Sequence, residues 1–152
     1  MQELTFELAA PGPGKAQTQT RPHQVAIDPT GRIILSVDLG DDSIRVFEIS
    51  QDGQIHEIQG LSLPKGSYPR HLSLVTVQDG LKLYILLQEI NAILVYDVIY
   101  EKAAGLSFSK TDEAVLARSS NGDPIVHSAE RYLKASHILA SVSQDANCAA
   151  CN

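Results

Sequence analysis

Arg21-Pro22-His23-Gln24-Val25-Ala26-Ile27-Asp28-Pro29-Thr30-Gly31-Arg32 runs as a short strand out of a tight corner into a turn, and it has a second copy. The copy is Tyr68-Pro69-Arg70-His71-Leu72-Ser73-Leu74, followed by Gln78-Asp79-Gly80-Leu81-Lys82, which sets Pro22 and Pro69 47 residues apart. Val25, Ile27, Ile33, Ile34 and Leu35 pair in this reading with Leu72, Leu74, Leu83, Tyr84 and Ile85. Ser43-Ile44-Arg45-Val46-Phe47-Glu48-Ile49 matches Ala92-Ile93-Leu94-Val95-Tyr96-Asp97-Val98 at a spacing of 49, because the second turn, Val75 to Leu81, is longer. A period in the forties built from several short strands is the mark of a β-propeller blade.

Working outward, residues 2–8 alternate Leu4, Phe6 and Leu8 against Glu3, Thr5 and Glu7, which predicts a half-buried strand. Residues 9–20 are a loop by composition, and 1–20 together would be the outer strand and loop of a preceding blade. A first blade follows over 21–64, with strands near 24–27, 32–37, 43–49 and 55–63 separated by turn-forming residues. A second covers 65–124, with strands near 71–75, 82–88, 92–98 and 106–109 and a polar, irregular stretch from 110 to 124. Residues 125–152 would be an incomplete third blade and a tail. The expected fold is therefore all-β, a partial propeller of about two and a half four-stranded antiparallel blades. Such an array leaves apolar faces and strand edges open, which suits a fragment of a ring or self-association through those edges.

The bulk numbers exclude several classes. The chain has 152 residues, 43% apolar and 20% charged, which suits a folded domain rather than a disordered one. Twelve basic against 18 acidic residues give a formal net charge of −6, which attracts neither nucleic acid nor an anionic membrane. No apolar run is long enough to cross a bilayer, and the acidic N-terminus is unlike a secretory or transit segment, so a cytoplasmic location is expected. Cys148 and Cys151 form a Cys-x-x-Cys pair in the tail with no second pair to complete a zinc site. His56, His127 and His137 share no ligand spacing, and neither a metal nor a cofactor is expected.

The corner motifs, together with Gly66-Ser67 ahead of the second and Gln88-Glu89 beyond it, resemble the seven-bladed lactonase family. That family includes propeller-type 6-phosphogluconolactonases and fungal carboxy-cis,cis-muconate cyclases. The resemblance is good from about Arg21 to Val98. It implies opening or closing of a small anionic lactone by residues that converge on a central channel. Carried onto this sequence, the catalytic positions are His23, Arg70 and Glu89. Gln88 stands where the family usually carries Asn, and Arg131 is one residue out of step with a further basic position.

The residue types suit that chemistry. A guanidinium can hold a carboxylate, a phosphate or a developing oxyanion. A histidine can activate water, and a carboxylate can orient it or exchange a proton. His23 and Arg70 open equivalent strands of adjacent blades, so both should reach one channel mouth. The plainer readings are that His23 bonds backbone at its corner and that Arg70 forms an inter-blade salt bridge with Asp38 or Glu89. Glu89, read as the counterpart of Leu39, would be an unusual inward-facing acid. His71 reads as a residue packing or bonding within its own blade. Asp41, Asp42 and Asp52 lie in turns, where carboxylates cap backbone. Two functions follow as expectations: a lactonase or lactonising cycloisomerase, or a truncated propeller that serves as a catalytically inactive interaction module.

Overall fold

The computed structural model describes residues 2–101 and 105–115, and within them the chain forms eight strands and no helix. The strands are β1 (Pro22–Ile27), β2 (Ile33–Asp38), β3 (Ser43–Ile49), β4 (Ile55–Ser62), β5 (Pro69–Val77), β6 (Gly80–Leu87), β7 (Ala92–Tyr100) and β8 (Leu106–Val115). They form two four-stranded antiparallel sheets in the orders β1-β2-β3-β4 and β5-β6-β7-β8. Each sheet is an up-and-down meander, as the turn chemistry requires, one with its strands between Pro22 and Ser62 and the other between Pro69 and Val115.

The blades are joined face to face by one apolar layer. Leu35, Val37, Ile44 and Val46 of the first blade meet Leu83, Ile85 and Leu87 of the second, all seven at 0% exposure. Strand side chains alternate between faces, so these residues occupy every second position. The opposite face of the second blade carries a smaller buried cluster of Leu86 and Ile93 with Tyr84 and Val95.

The ladders correct the register read from sequence. Val25 pairs with Ser36 and Leu72 with Ile85, so Ile34, Leu35 and Ser36 are the counterparts of Leu83, Tyr84 and Ile85, 49 residues on. Matching Ile33 with Leu83 instead joins the two sides of one interface. Equivalent positions point the same way round the array, so contacting faces must differ by one residue. The same ladders make Leu87 and Leu94 of the second blade the counterparts of Asp38 and Arg45 in the first. The far face of the first blade is accordingly polar, with Arg45 Nε 2.9 Å from Asp38 Oδ2 and Nη1 2.9 Å from Glu57 Oε1.

Residues 2–8 are not a strand. They lie against that polar face, where a segment finds no strand edge to pair with; Phe6 packs on Phe47 at 5.7 Å between centroids and beneath the Arg45 guanidinium at 4.5 Å. Gln2 takes both backbone groups of Ile55 at 2.7 and 2.8 Å. The second correction is β8, which continues through 110–115 where a loop was expected. Its exposed Lys110–Glu113 run has no apolar alternation to announce a strand, yet pairing with β7 persists across a bulge at Val95/Tyr96. The expected third unit from Ile125, with Arg131, His127, His137, Cys148 and Cys151, lies outside the described residues.

Two buried carboxylates tie the blades together. Asp42, at φ 53°, accepts from Gly66 N (2.6 Å), Tyr68 N (3.0 Å) and Ser67 Oγ (3.3 Å), which clamps the entry to the second blade onto a turn of the first. Asp28 accepts from the Arg32 and Ile33 amides of its own turn and from the Tyr100 hydroxyl of β7 at 2.6 Å. Burial pushes the Asp28 carboxyl upward, but the bonds from Thr30, Tyr100 and the backbone outweigh it and hold the group below its ordinary 3.8.

Charge-assisted bonds contribute about 1.5–3 kcal/mol each, and stranded buried donors add to the cost. Asp42→Ala should lower the unfolding free energy by roughly 2–4 kcal/mol in urea titration. Asp42→Asn should lose less, because an amide oxygen still accepts and Asn tolerates the left-handed backbone. A depressed carboxylate contributes stability above its unfolded pKa and loses it as pH falls. The destabilisation of Tyr100→Phe should therefore be larger at pH 7 than below the ordinary carboxylate value of 3.8, measured by thermal melts across that range.

Candidate active site

The innermost strands, β1 and β5, lie side by side and begin with the two corner motifs. Pro22 and Pro69 fix the backbone at each corner, and each strand is distorted one step later, between Pro22 and Gln24 and between Pro69 and His71. The residue in each irregularity is His23 in one blade and Arg70 in the other. A bulge turns a side chain out of the regular alternation, which is how both reach the end of the strand pair.

His23 and Arg70 are brought together. Partial desolvation and then the Arg70 guanidinium hold the His23 imidazole below 6.5, against a hydrogen bond to the Arg70 backbone that raises it. Arg70 Nη1 donates to Gln88 Oε1 at 2.9 Å, so Gln88 fixes one arm of the guanidinium. Asp38, considered above as a partner for Arg70, pairs with Arg45 and also accepts from the amides of Arg21, Gly40 and Asp41.

His71 adds a second imidazole that sequence reasoning had confined to its own blade. Its ring stands edge-on to His23, at 5.2 Å between centroids and 88° between planes. Its Nδ1 lies 3.0 Å from Gln24 Oε1, across the blade boundary. Burial first, then the His23 and Arg70 charges, hold His71 below 6.5 as well. Two neutral imidazoles beside one permanent cation make a set that can take up a proton and hold an anion at the same end of the strands.

Glu89 is placed differently from the expectation. Leu39 N donates to Arg21 O and Gln88 N to Tyr68 O, so the counterpart of Leu39 is Gln88, and Glu89 falls on the position of Gly40. Asp42 and Asn91, at φ 53° and 51°, confirm the spacing of 49 through this turn. Glu89 is partly buried with its amide on Ser67 O, and among the described residues its carboxylate forms no ion pair with His23 or Arg70. The signal for Gln24 and Gln88 was available in the repeat: Gln24 aligns with His71, and Gln88 closes the turn that faces Arg70.

A separate hollow of about 440 Å³ opens between β4 and β8, lined by Ile58, Leu61, Leu106, Phe108 and Glu101 among others. Among the described residues it is lined by a single ionisable group, Glu101, and lacks the acid–base set at the inner strands. Among the described residues no group of three His, Cys, Asp or Glu side chains is arranged to hold a metal, and no helix is long and apolar enough to cross a membrane.

A family model described as a seven-bladed β-propeller lactonase matches residues 1–141. A curated relative from Arthroderma benhamiae, named as a probable 6-phosphogluconolactonase, is 30% identical over 89 residues, covering 57% of this chain and 23% of that protein. The chain thus spans less than a quarter of that relative's length. A crystal structure of a protein from Lactobacillus plantarum superposes with a TM-score of 0.62 at 24% identity, over 77% of this chain and 32% of that one. The periplasmic gluconolactonase of Pseudomonas aeruginosa superposes with a TM-score of 0.56 at 23% identity, over 68% and 28%. These two likenesses carry the fold, and the strand order described above agrees with it.

Histidine titration by NMR checks the electrostatics. Both His23 and His71 should titrate below 6.5, and Arg70→Gln should raise both midpoints by removing the guanidinium charge. Midpoints that do not move would separate Arg70 from the two rings.

Proposed function

We propose, from the premise that this chain belongs to the seven-bladed β-propeller lactonase family, that the inner ends of its two described blades form part of a site for hydrolysing a small anionic lactone. The observation that carries the reading is the convergence of His23 and His71 beside Arg70, from the bulged starts of neighbouring inner strands.

Water adds to the lactone carbonyl carbon, the ring C–O bond breaks, and a proton taken from water reaches the departing ring oxygen. The products are a hydroxyl and a carboxylic acid, which ionises to a carboxylate and releases the second proton of the water to solvent. His23, held neutral at pH 7, is the base in this reading and later the donor to the ring oxygen. Arg70, steadied by Gln88, faces either the carbonyl oxygen as it gains charge or the anionic substituent of the substrate. Glu89 follows Gln88 in the adjoining turn and is a candidate for the second proton-exchanging group rather than a partner that orients His23. The relative's name as a 6-phosphogluconolactonase supports hydrolysis over cyclisation and a substrate with a remote anion.

The test is turnover of an anionic δ-lactone, followed by acid release, with wild type and Arg70→Ala side by side. Loss of one charge-stabilising donor costs about 10²–10³ in kcat, so Arg70→Ala should fall by that order while the wild type exceeds buffer. Wild-type activity equal to buffer, or an Arg70→Ala variant equal to wild type, would overturn the assignment.

A further inference from the structure

Gln24 sits half-buried on β1 and sends its side chain to β5 of the next blade. Its Nε2 donates to Leu72 O at 3.1 Å, and its Oε1 accepts from Leu72 N at 3.0 Å. An amide nitrogen only donates and an amide oxygen only accepts. A backbone C=O and N–H are equally unambiguous, so the two bonds fix which way the Gln24 amide points. The fixed oxygen then lies 3.0 Å from His71 Nδ1. An acceptor at that distance requires a donor opposite it, so Nδ1 must carry hydrogen.

We infer that Gln24 is a positioning residue that locks His71 as its Nδ1–H tautomer, making Nε2 the ring's basic nitrogen and fixing the ring edge-on to His23. Any proton that His71 takes up then goes to Nε2, and the plane presented to His23 is set from the neighbouring blade. Burial and the neighbouring His23 and Arg70 charges favour the neutral ring to which this tautomer belongs. The amide orientation that decides the tautomer is set by the backbone of Leu72, so the state of the ring depends on the docking of the two blades. The catalytic consequence, a second oriented base beside His23, rests on the lactone-site reading above; the tautomer itself does not.

Long-range ¹H–¹⁵N NMR of the intact chain, without substrate and above the histidine titration range, reads the tautomer directly, with His71→Asn to assign the signals. The wild type should show His71 as the Nδ1–H form. Gln24→Ala should move the two ring nitrogens toward the Nε2–H pattern. Gln24→Glu retains an acceptor, so the Nδ1–H form should persist while the added carboxylate raises the His71 titration midpoint. A wild-type ring in the Nε2–H form, or ring shifts unmoved by Gln24→Ala in a folded protein, would overturn the inference. A purely structural Gln24 would lower the melting temperature and leave those shifts alone. If Gln24→Ala does not fold, the wild type and Gln24→Glu still decide the matter. Failure of the lactone assay would remove the proposed activity without touching this result.

Discussion

The apolar layer between the two blades is the interaction on which everything else in this chain depends. A four-stranded twisted sheet has two faces, and a meander of this size cannot bury either by itself. Seven fully buried aliphatic side chains, four from one blade and three from the other, fill the gap. Truncating any one of them would cost about 2–5 kcal/mol, a large share of an ordinary domain's stability. The layer also determines where the functional residues stand. It holds β1 and β5 side by side, and only that arrangement puts His23 within reach of Arg70 and His71.

Hydrophobic packing sets the separation of the blades but not their sliding register, and here polar side chains complete the specification. Gln24 takes both backbone groups of Leu72, much as a neighbouring strand would at a ladder position. Asp42 accepts from the amides of Gly66 and Tyr68 at the blade entry, and Tyr100 reaches Asp28 at the other end of β7. Each contact joins a buried or half-buried group to a fixed partner, so a displacement of the blades by one residue would strand several donors at once. The blade boundary is therefore apolar in its middle and hydrogen-bonded at its ends. The candidate site lies at one of those ends.

The repeat made most of this architecture legible in the sequence. Alternation and turn residues placed the start of every strand to within two residues, because each strand has one face against the apolar layer. Legibility failed where that physical signal is absent. β8 carries Lys110–Glu113 on an exposed outer edge and has no alternation over that span. The 2–8 segment alternates convincingly, but alternation reports a buried face, and Phe6 against Phe47 satisfies that without a ladder. The one-residue error in matching Ile33 with Leu83 arose because facing residues and equivalent residues are both aliphatic, and only hydrogen-bond pairing separates them.

The same distinction explains which parts of the site could be read. His23 and Arg70 were legible because they occupy one position in two copies of a motif, 47 residues apart, and equivalence implies a shared end. Glu89 came from the family resemblance, and its match with Leu39 was one residue off, because the two copies keep a spacing of 49 through this turn and Gln88 takes that position. That shift alters the chemistry. The side chain directed at the guanidinium is a neutral amide, which fixes the arm of Arg70 without neutralising its charge. Burial first, and the Arg70 charge after it, hold both imidazoles below their ordinary 6.5, so the electrostatics of the two rings depend on where Gln88 sets the guanidinium.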